Sequence, residues 1–444
     1  RSRFSYNLFN SYYKGFTPRI DEPGKPNDNN YLGDTASRAH AWDLENTLTY
    51  DNSFGKHSVG ALFSTTADYW ASRGVKGEGK DFADEDKSLQ YMGNAEKTSA
   101  DDWLYGPDAN LSYVARLSYS YDDRYFATAS WRRDYAGRLP KSNNYGDFPA
   151  MTAAWKLSNE PFFPKSETFS LLKLRASWGR IGNLGSVGLN YRYPTLSDTY
   201  WDEGAHYGAE VEHQYNTFYY FDEVINPKLS WETSEQLDLG FDLVMFRERL
   251  SLAFDYFNKR TFNLIQRQTL GWPSTIGLSA PLVNEGEVRN RGVEFSLNWS
   301  DRPTKDFSYF VSSNITYLKN WVSDIGVENS DGSKGVWANK GSQFRSIPYM
   351  IQTAEGQPIG SFYLIKTDGI FQSDEEAANY THNGKRIQPN AVAGDLKFVD
   401  YNNDGVINDQ DRQYLGNAMP DFTYALTFGA TYRNLSLSMM LQGV

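Results

Sequence analysis

One segment of the chain spaces oxygen-bearing residues at intervals that suit a metal ion. The candidate ligands are Asp400, Asn402, Asp404, Val406, Asn408 and Asp411, at positions 1, 3, 5, 7, 9 and 12 of the segment. Alternate residues of a curled loop point their oxygens toward one centre, Gly405 permits the sharp turn, and Val406 offers its main-chain carbonyl. A set with many oxygens favours calcium over magnesium. The spacing therefore predicts a Ca²⁺ site at 400–411, with Asp411 where EF-hand loops carry Glu.

A turn rich in Asn and Asp is the alternative for this segment. Such side chains accept hydrogen bonds from nearby backbone N–H groups and form compact turns without metal. No helical pattern flanks 400–411, as it would in an EF-hand. The sequence leaves both interpretations open, and we expect no cofactor to be required.

A second group of residues offers flat apolar surfaces to a ligand. These aromatic side chains lie in long polar segments: Trp70, Trp103, Trp201, Tyr207, Tyr215, Tyr219, Tyr220 and Trp337. Sugar rings have CH-rich faces that pack on aromatic rings, while neighbouring Asp, Asn and Arg can bind hydroxyl groups. The group predicts an oligosaccharide-binding surface. For each residue alone, packing between loops or contact with a partner protein is the alternative.

Other chemistry finds little support. The chain has no cysteine and five scattered histidines, and it shows no phosphate loop, nucleophile elbow or zinc-protease motif. Its net charge of −11 disfavours nucleic acid, because phosphate binding needs a basic face. We therefore expect neither an enzyme nor a nucleic-acid-binding protein.

The elements that must position the candidate residues are β-strands. Apolar and polar residues alternate strictly, as at 236–243, where Leu and Phe alternate with Gln, Asp and Gly. About a dozen strands are predicted, mostly as hairpins: 41–51 with 56–66, 111–121 with 125–133, 148–157 with 171–179, 233–245 with 250–256, 293–300 with 306–317, and 423–432 with 435–441. Short turns are predicted to join the partners of each hairpin. Long polar segments, at 67–110, 180–231, 258–292 and 318–360, join one hairpin to the next.

This asymmetry of connections is typical of an outer-membrane β-barrel, with short periplasmic turns and long external loops. A carboxylate is costly in hydrocarbon, so Asp238, Asp242 and Asp255 should face a wet lumen and the Leu, Phe and Tyr faces should meet lipid. Aromatic residues near strand ends suit the membrane interface: Tyr119, Tyr121, Trp131, Trp299 and Tyr317. The alternative is a large β-sandwich that seals its apolar faces inside, as in a secreted carbohydrate-binding or carbohydrate-active protein.

Several sequence blocks are similar to the SusC/RagA family of TonB-dependent transporters. In chain order they are 172–179 (LKLRASWG) with Gly182 and Asn183, 226–232 (NPKLSWE), 284–294 (NEGEVRNRGVE), 355–363 (EGQPIGSFY), 367–372 (TDGIFQ), and 394–400 (GDLKFVD) running on to Gly416, Asn417 and Pro420. Six blocks in the family's order make coincidence improbable.

The resemblance implies an all-β fold, a transmembrane antiparallel barrel of about 22 strands that encloses a plug. Residues 1–444 would be one partial barrel domain, without the plug, the N-terminal extension and the final strands. The implied function is active import across the bacterial outer membrane of an oligosaccharide, or alternatively of a peptide. The implied partners are outer-membrane lipid, a SusD-like surface lipoprotein that acts as a lid, and TonB–ExbB–ExbD acting through the plug.

Overall fold

The computed structural model describes residues 1–20, 27, 29–164, 166–189, 191–192, 196–199, 218–221, 223–268, 272, 277–326, 335–337 and 350–444. At 196–199, 218–221 and 335–337 it describes the backbone alone. No helix among these residues is long and apolar enough to cross a membrane.

Strands dominate the described structure. In chain order they are β1 (Ser2–Thr17), β2 (Tyr31–Phe54), β3 (His57–Phe82), β4 (Ala95–Tyr121), β5 (Tyr125–Ala136), β6 (Tyr145–Lys156), β7 (Phe169–Asn183), β8 (Leu196–Thr199), β9 (Phe218–Phe221), β10 (Glu232–Met245), β11 (Leu250–Phe262), β12 (Ile265–Arg267), β13 (Leu282–Asn284), β14 (Glu287–Asp301), β15 (Phe307–Asp324), β16 (Gly335–Trp337), β17 (Ile351–Ala354), β18 (Ser361–Ile365), β19 (Thr367–Ile370), β20 (Thr381–His382), β21 (Lys385–Arg386), β22 (Leu396–Phe398), β23 (Arg412–Asn417), β24 (Phe422–Tyr432) and β25 (Leu435–Gly443). Helix α1 spans Asp374–Asn379, and single 3₁₀ turns lie at Lys87–Leu89, Met92–Asn94, Leu157–Asn159 and Asp409–Asp411.

Thirteen of these strands form one antiparallel meander, in the order β1-β2-β3-β4-β5-β6-β7-β10-β11-β14-β15-β24-β25. The predicted dozen strands and their hairpin partners are confirmed, and β1 adds a strand before the first predicted hairpin. The shorter strands form small sheets within the connections. The prediction of an all-β, antiparallel barrel wall is likewise confirmed.

The connections alternate between two ends of the sheet. At the turn end they are 55–56, 122–124, 157–168, 246–249, 302–306 and 433–434, and at the loop end 18–30, 83–94, 137–144, 184–231, 263–286 and 325–421. The predicted asymmetry is confirmed, except that the turn-end connection 157–168 is longer than the loop-end connection 137–144. The predicted loop 67–110 is wrong. Most of that segment extends β3 and β4 to 26 and 27 residues, and only 83–94 connects them. A membrane crossing needs about 9–11 residues, so the β3–β4 hairpin continues well beyond it.

The outer face of the sheet is the one that carries the Leu and Phe side chains of β10, and the inner face carries its Asp side chains. Leu48, Leu117 and Leu435, on the outer face, are 71%, 56% and 74% exposed. Among the described residues, the clusters of buried apolar side chains lie at the loop end rather than across this face. The sandwich alternative is therefore wrong, because nothing described seals the apolar face.

Aromatic residues line the outer face near the turn end. The rings of Tyr121, Tyr125 and Trp155 stack in sequence across three strands, with centroids 6.3 Å and 6.2 Å apart. The strand register places all five predicted interfacial residues on this face: Tyr119, Tyr121, Trp131, Trp299 and Tyr317. Rings with one polar edge suit the boundary between lipid and water.

Candidate functional site

The inner face forms a polar wall in which carboxylates are paired with neighbouring strands. Arg175 on β7 contacts Asp242 on β10 and Asp255 on β11, each at 3.0 Å. Ser177 donates a hydrogen bond of 3.0 Å to Asp238. The three Asp residues thus lie on the inner face, as predicted, and a polar solute passing along this wall would meet both charges and hydroxyl groups.

The extension of β3 and β4 beyond the membrane carries aromatic residues on the inner face. Gly74 is opposite Trp103, Ser72 is opposite Tyr105, and Trp70 lies on the same face two residues before Ser72. A Cβ atom at Gly74 would collide with the Trp103 ring, so the ring lies flat over the glycine. The ring centroids of Trp103 and Tyr105 are 6.4 Å apart. These residues form an aromatic surface above the polar wall, which we call the inner aromatic strip (Trp70, Trp103 and Tyr105).

Trp70 and Trp103 lie on the same face of the hairpin, on strands and not in a loop, and their role in ligand binding stays a prediction. Tyr105 was not among the predicted residues. The signal for it was its position two residues after Trp103, because alternate residues of a strand share a face.

The remaining predicted aromatic residues are not tested. Trp201, Tyr207 and Tyr215 lie outside the described residues. The backbones of Tyr219 and Tyr220 belong to β9, which pairs with β8, and the backbone of Trp337 belongs to β16, where it is opposite Gln352. Their role in binding stays a prediction.

The predicted calcium loop lies between β22 and β23, within the longest connection at the loop end. Asp400 accepts hydrogen bonds from the backbone of Asp404 (3.1 Å) and Gly405 (2.8 Å). Asp411 is fully buried and accepts from the backbone of Tyr401 and Asn408, both at 2.8 Å. Gly405 has a φ of 85°, the left-handed conformation that its turn requires. The loop is curled around its first and last carboxylates.

The middle of this loop is held by side chains as well. Asn402 and the backbone of Val406 donate hydrogen bonds to Asp404, and they lower the pKa of that carboxyl group. In the part of the chain that the structure describes, no three His, Cys, Asp or Glu side chains gather as a metal-ligand set. The hydrogen bonds of this loop match the Asx-turn interpretation. A calcium site would also use the side-chain oxygens of Asn402 and Asn408 and the main-chain oxygen of Val406, so Ca²⁺ binding stays a prediction.

Two of the sequence blocks interlock at the loop end. The side chain of Asn284 accepts a hydrogen bond from the backbone of Ser230 (2.7 Å) and donates one to its carbonyl (2.9 Å). Asn226 donates to the carbonyl of Leu282 at 3.0 Å. Leu229, between them, is fully buried in a cluster that joins several loops. These blocks therefore hold the loops together above the barrel wall.

An antiparallel wall with an exposed apolar outer face, a polar inner face and large folded loops at one end defines an outer-membrane β-barrel. Residues 1–439 match the family model described as "TonB dependent receptor-like, beta-barrel". The chain belongs to this family and is part of an outer-membrane protein.

Curated relatives have related sequences and greater length. The chain is 29% identical over 403 residues to TonB-dependent receptor P3 of Formosa agariphila, covering 90% of this chain and 38% of that protein. It is 28% identical over 342 residues to TonB-dependent receptor SusC of Bacteroides thetaiotaomicron, covering 75% of this chain and 31% of that protein. The chain thus spans less than half the length of these relatives, and its resemblance to the SusC/RagA family is confirmed.

Solved structures agree on the fold. The structure of the RagAB peptide transporter superimposes with a TM-score of 0.77 at 19% identity, over 99% of this chain and 45% of that chain. The "closed-closed" state of the RagAB peptide importer gives a TM-score of 0.75 at 20% identity.

Proposed function

We propose that this chain forms part of the wall of a TonB-dependent importer that carries an oligosaccharide across the outer membrane. The observation that carries the choice of cargo is the inner aromatic strip, which stands above a wall of hydrogen-bonding groups. Apolar faces of a sugar can pack on the rings, and further along the inner face its hydroxyl groups can then meet Arg175, Asp238 and Asp242. The function requires no catalysis by the chain.

The wall alone supplies no energy for import. The proposed energy source is TonB–ExbB–ExbD, which would act through a plug domain inside the barrel. The proposed lid is a SusD-like surface lipoprotein seated on the folded loops. Both partners are supported by membership of the family and by the likeness to SusC.

A test removes the strip from the full-length protein and measures sugar binding. The double variant Trp70→Ala/Trp103→Ala should weaken binding of an oligosaccharide ligand by about tenfold or more, since each ring loses apolar contact area. Binding can be followed by calorimetry, with candidate glycans taken from a panel of neutral oligosaccharides.

Trp42→Ala is the matched control. Trp42 stacks on Tyr69 with centroids 5.9 Å apart, but on the outer face of the wall. Sugar affinity should stay within about twofold in this variant. Equal affinity in wild type and the double variant, for every glycan that binds, would refute the proposed role of the strip.

A peptide is the second candidate cargo, favoured by the structural likeness to the RagAB peptide transporter. The same full-length protein is therefore offered a mixture of peptides beside the glycan panel. Retention of peptides and of no glycan would replace the first proposal with the second.

A further inference from the structure

In the part of the sheet that the structure describes, three pairs of cations stand directly opposite each other on the outer face. In one of them, Arg260 with Arg289, both side chains bind Glu287. The other two pairs are bound to no carboxylate among the described residues.

In these two pairs, Arg291 on β14 is opposite Lys319 on β15, and Arg38 on β2 is opposite Arg73 on β3. All four side chains are exposed. Like charges placed directly across two strands repel each other and destabilise the sheet. Among the described residues, the outer face therefore carries two opposed cation pairs that lack an ion-pair partner, in strands far apart in the order of the sheet.

Neither pair forms an ion pair with a carboxylate among the described residues. The remaining cross-strand neighbours are neutral: Asn258 beside Arg291, Asn10 beside Arg38 and Leu104 beside Arg73. Along β2, β3, β14 and β15 the next residues on this face also lack a carboxylate. On β4, Asp102 lies diagonally from Arg73, opposite Val75, and no ion pair joins the two.

Four other arginines on the outer face are compensated. Arg133 binds Asp147 (2.7 Å), Arg180 binds Glu235 (2.7 Å), and both Arg260 and Arg289 bind Glu287. Pairing is thus the usual arrangement for cations on this face. The two pairs without an ion-pair partner are exceptions in a chain whose net charge is −11.

Both pairs lie on the loop side of aromatic residues on the outer face. Lys319 follows Tyr317, whose ring is 4.8 Å from that of Phe422, by two residues on the same face. Arg38 and Arg73 lie four residues beyond the stacked pair Trp42 and Tyr69. Side chains at this height, on the face that meets lipid, reach the head groups of the outer leaflet.

We propose that each of these two pairs binds a phosphate group of the outer-leaflet glycolipid. A phosphate between two cations removes their repulsion, and it offers several oxygens to the guanidinium and ammonium donors. Basic residues at a membrane surface bind anionic head groups in the same way. The lipid would then stabilise the wall at two positions where the sheet alone is weakened.

The test uses the detergent-solubilised full-length protein and lipid A that carries both its phosphate groups. Native mass spectrometry counts bound lipids and gives apparent affinities. Wild type should hold two lipids in a phosphate-dependent manner, and Arg291→Gln/Lys319→Gln and Arg38→Gln/Arg73→Gln should each lose one. The affinity of the lost site should fall by about tenfold, as expected when a hydrogen bond to a charged group is removed. Arg291→Lys, which keeps the charge, should retain binding.

Arg116→Gln/Lys259→Gln is the matched control, because it removes two cations from the inner face. Its lipid binding should equal that of wild type, and lipid A without phosphate groups should bind all proteins alike.

Equal binding by wild type and the outer-face variants would overturn the proposal, and so would an equal loss in the control. Displacement by excess inorganic phosphate would show a free-phosphate site instead. Altered oligomeric state with normal lipid binding would show a protein contact and would also overturn it.

The thermal midpoint gives an independent readout. Without lipid, the outer-face variants should be as stable as wild type or more stable, since a repulsion is removed. With lipid A, wild type should gain more stability than either variant, because a ligand stabilises the state that binds it. A variant that unfolds earlier without lipid would contradict the repulsion on which the inference rests.

Discussion

At the scale of single residues, buried carboxylates and amides at the loop end are used to organise backbone. Asp411 is completely buried yet accepts two backbone hydrogen bonds, and Asp400 does the same from the other side of the turn. A buried carboxylate without such donors would be costly. The loop therefore folds as an Asx-rich turn, and its binding of a cation stays a prediction.

Calcium should stabilise this loop. We expect calcium, at a hundredfold excess over its dissociation constant, to raise the free energy of unfolding of the full-length protein by about 2.7 kcal/mol. This value applies if the loop and the barrel unfold in the same transition. Asp404→Asn, which removes one carboxylate but keeps an oxygen, should abolish most of that gain. The measurement is the thermal midpoint with calcium and with a chelator. An unchanged midpoint in wild type would leave the loop as a turn and nothing more.

Asn284 should matter more than an ordinary polar residue. Asn284→Ala leaves the backbone N–H and carbonyl of Ser230 without their partners, which should cost about 1–3 kcal/mol. Because these bonds join loops, the loss should appear as faster proteolysis at the loop end. Asn298→Ala, which removes an exposed bond to Ser312, is the control and should have little effect.

At the scale of elements, the environment of the extended hairpin of β3 and β4 changes along its length. In the membrane one face meets lipid and the other meets water, so residues alternate. Beyond it, both faces are wet, and segments such as 76–80 (KGEGK) show no apolar alternation. The absence of that pattern is the reason why 67–110 resembled a loop.

Gly74 should be intolerant of a side chain. Gly74→Ala places a Cβ against the Trp103 ring and should displace it from the inner aromatic strip. We expect a shift of tryptophan fluorescence and a loss of sugar affinity of at least about threefold, smaller than that of removing the ring. Gly93→Ala, where nothing lies within 4 Å of the new Cβ, is the control. An unaltered spectrum would mean that the ring has room to move without consequence.

At the scale of the whole molecule, the two faces of the sheet meet different solvents. The inner face carries ion pairs such as Arg175 with Asp242, and the outer face carries exposed apolar residues such as Leu117. In water such an apolar surface would associate with other molecules. The full-length protein should therefore need detergent for extraction.

A matched pair of substitutions tests the assignment of faces. Leu117→Arg places a cation toward hydrocarbon and should destabilise the folded barrel by ~2–4 kcal/mol. Ser120→Arg, on the inner face of the same strand, should cost far less because it meets water. Unfolding in urea from lipid vesicles measures both. Similar costs for the two variants would mean that the faces are assigned wrongly.

The sequence by itself determined the strands within the membrane, the direction of their faces and the end with long loops. Lipid on one side and water on the other impose a period of two that can be read from residues such as those at 236–243. The sequence blocks around Asn226 and Asn284 identified the family, although not their role in joining loops.

Only the tertiary structure decided what lies at the membrane surface and beyond it. The continuation of β3 and β4, the shared face of Trp70 and Trp103, and the opposition of Arg38 to Arg73 all depend on register. Where both faces of a strand are wet, burial no longer favours one register over another, and the pairing is fixed by the neighbouring strands and by the hairpin inside the membrane.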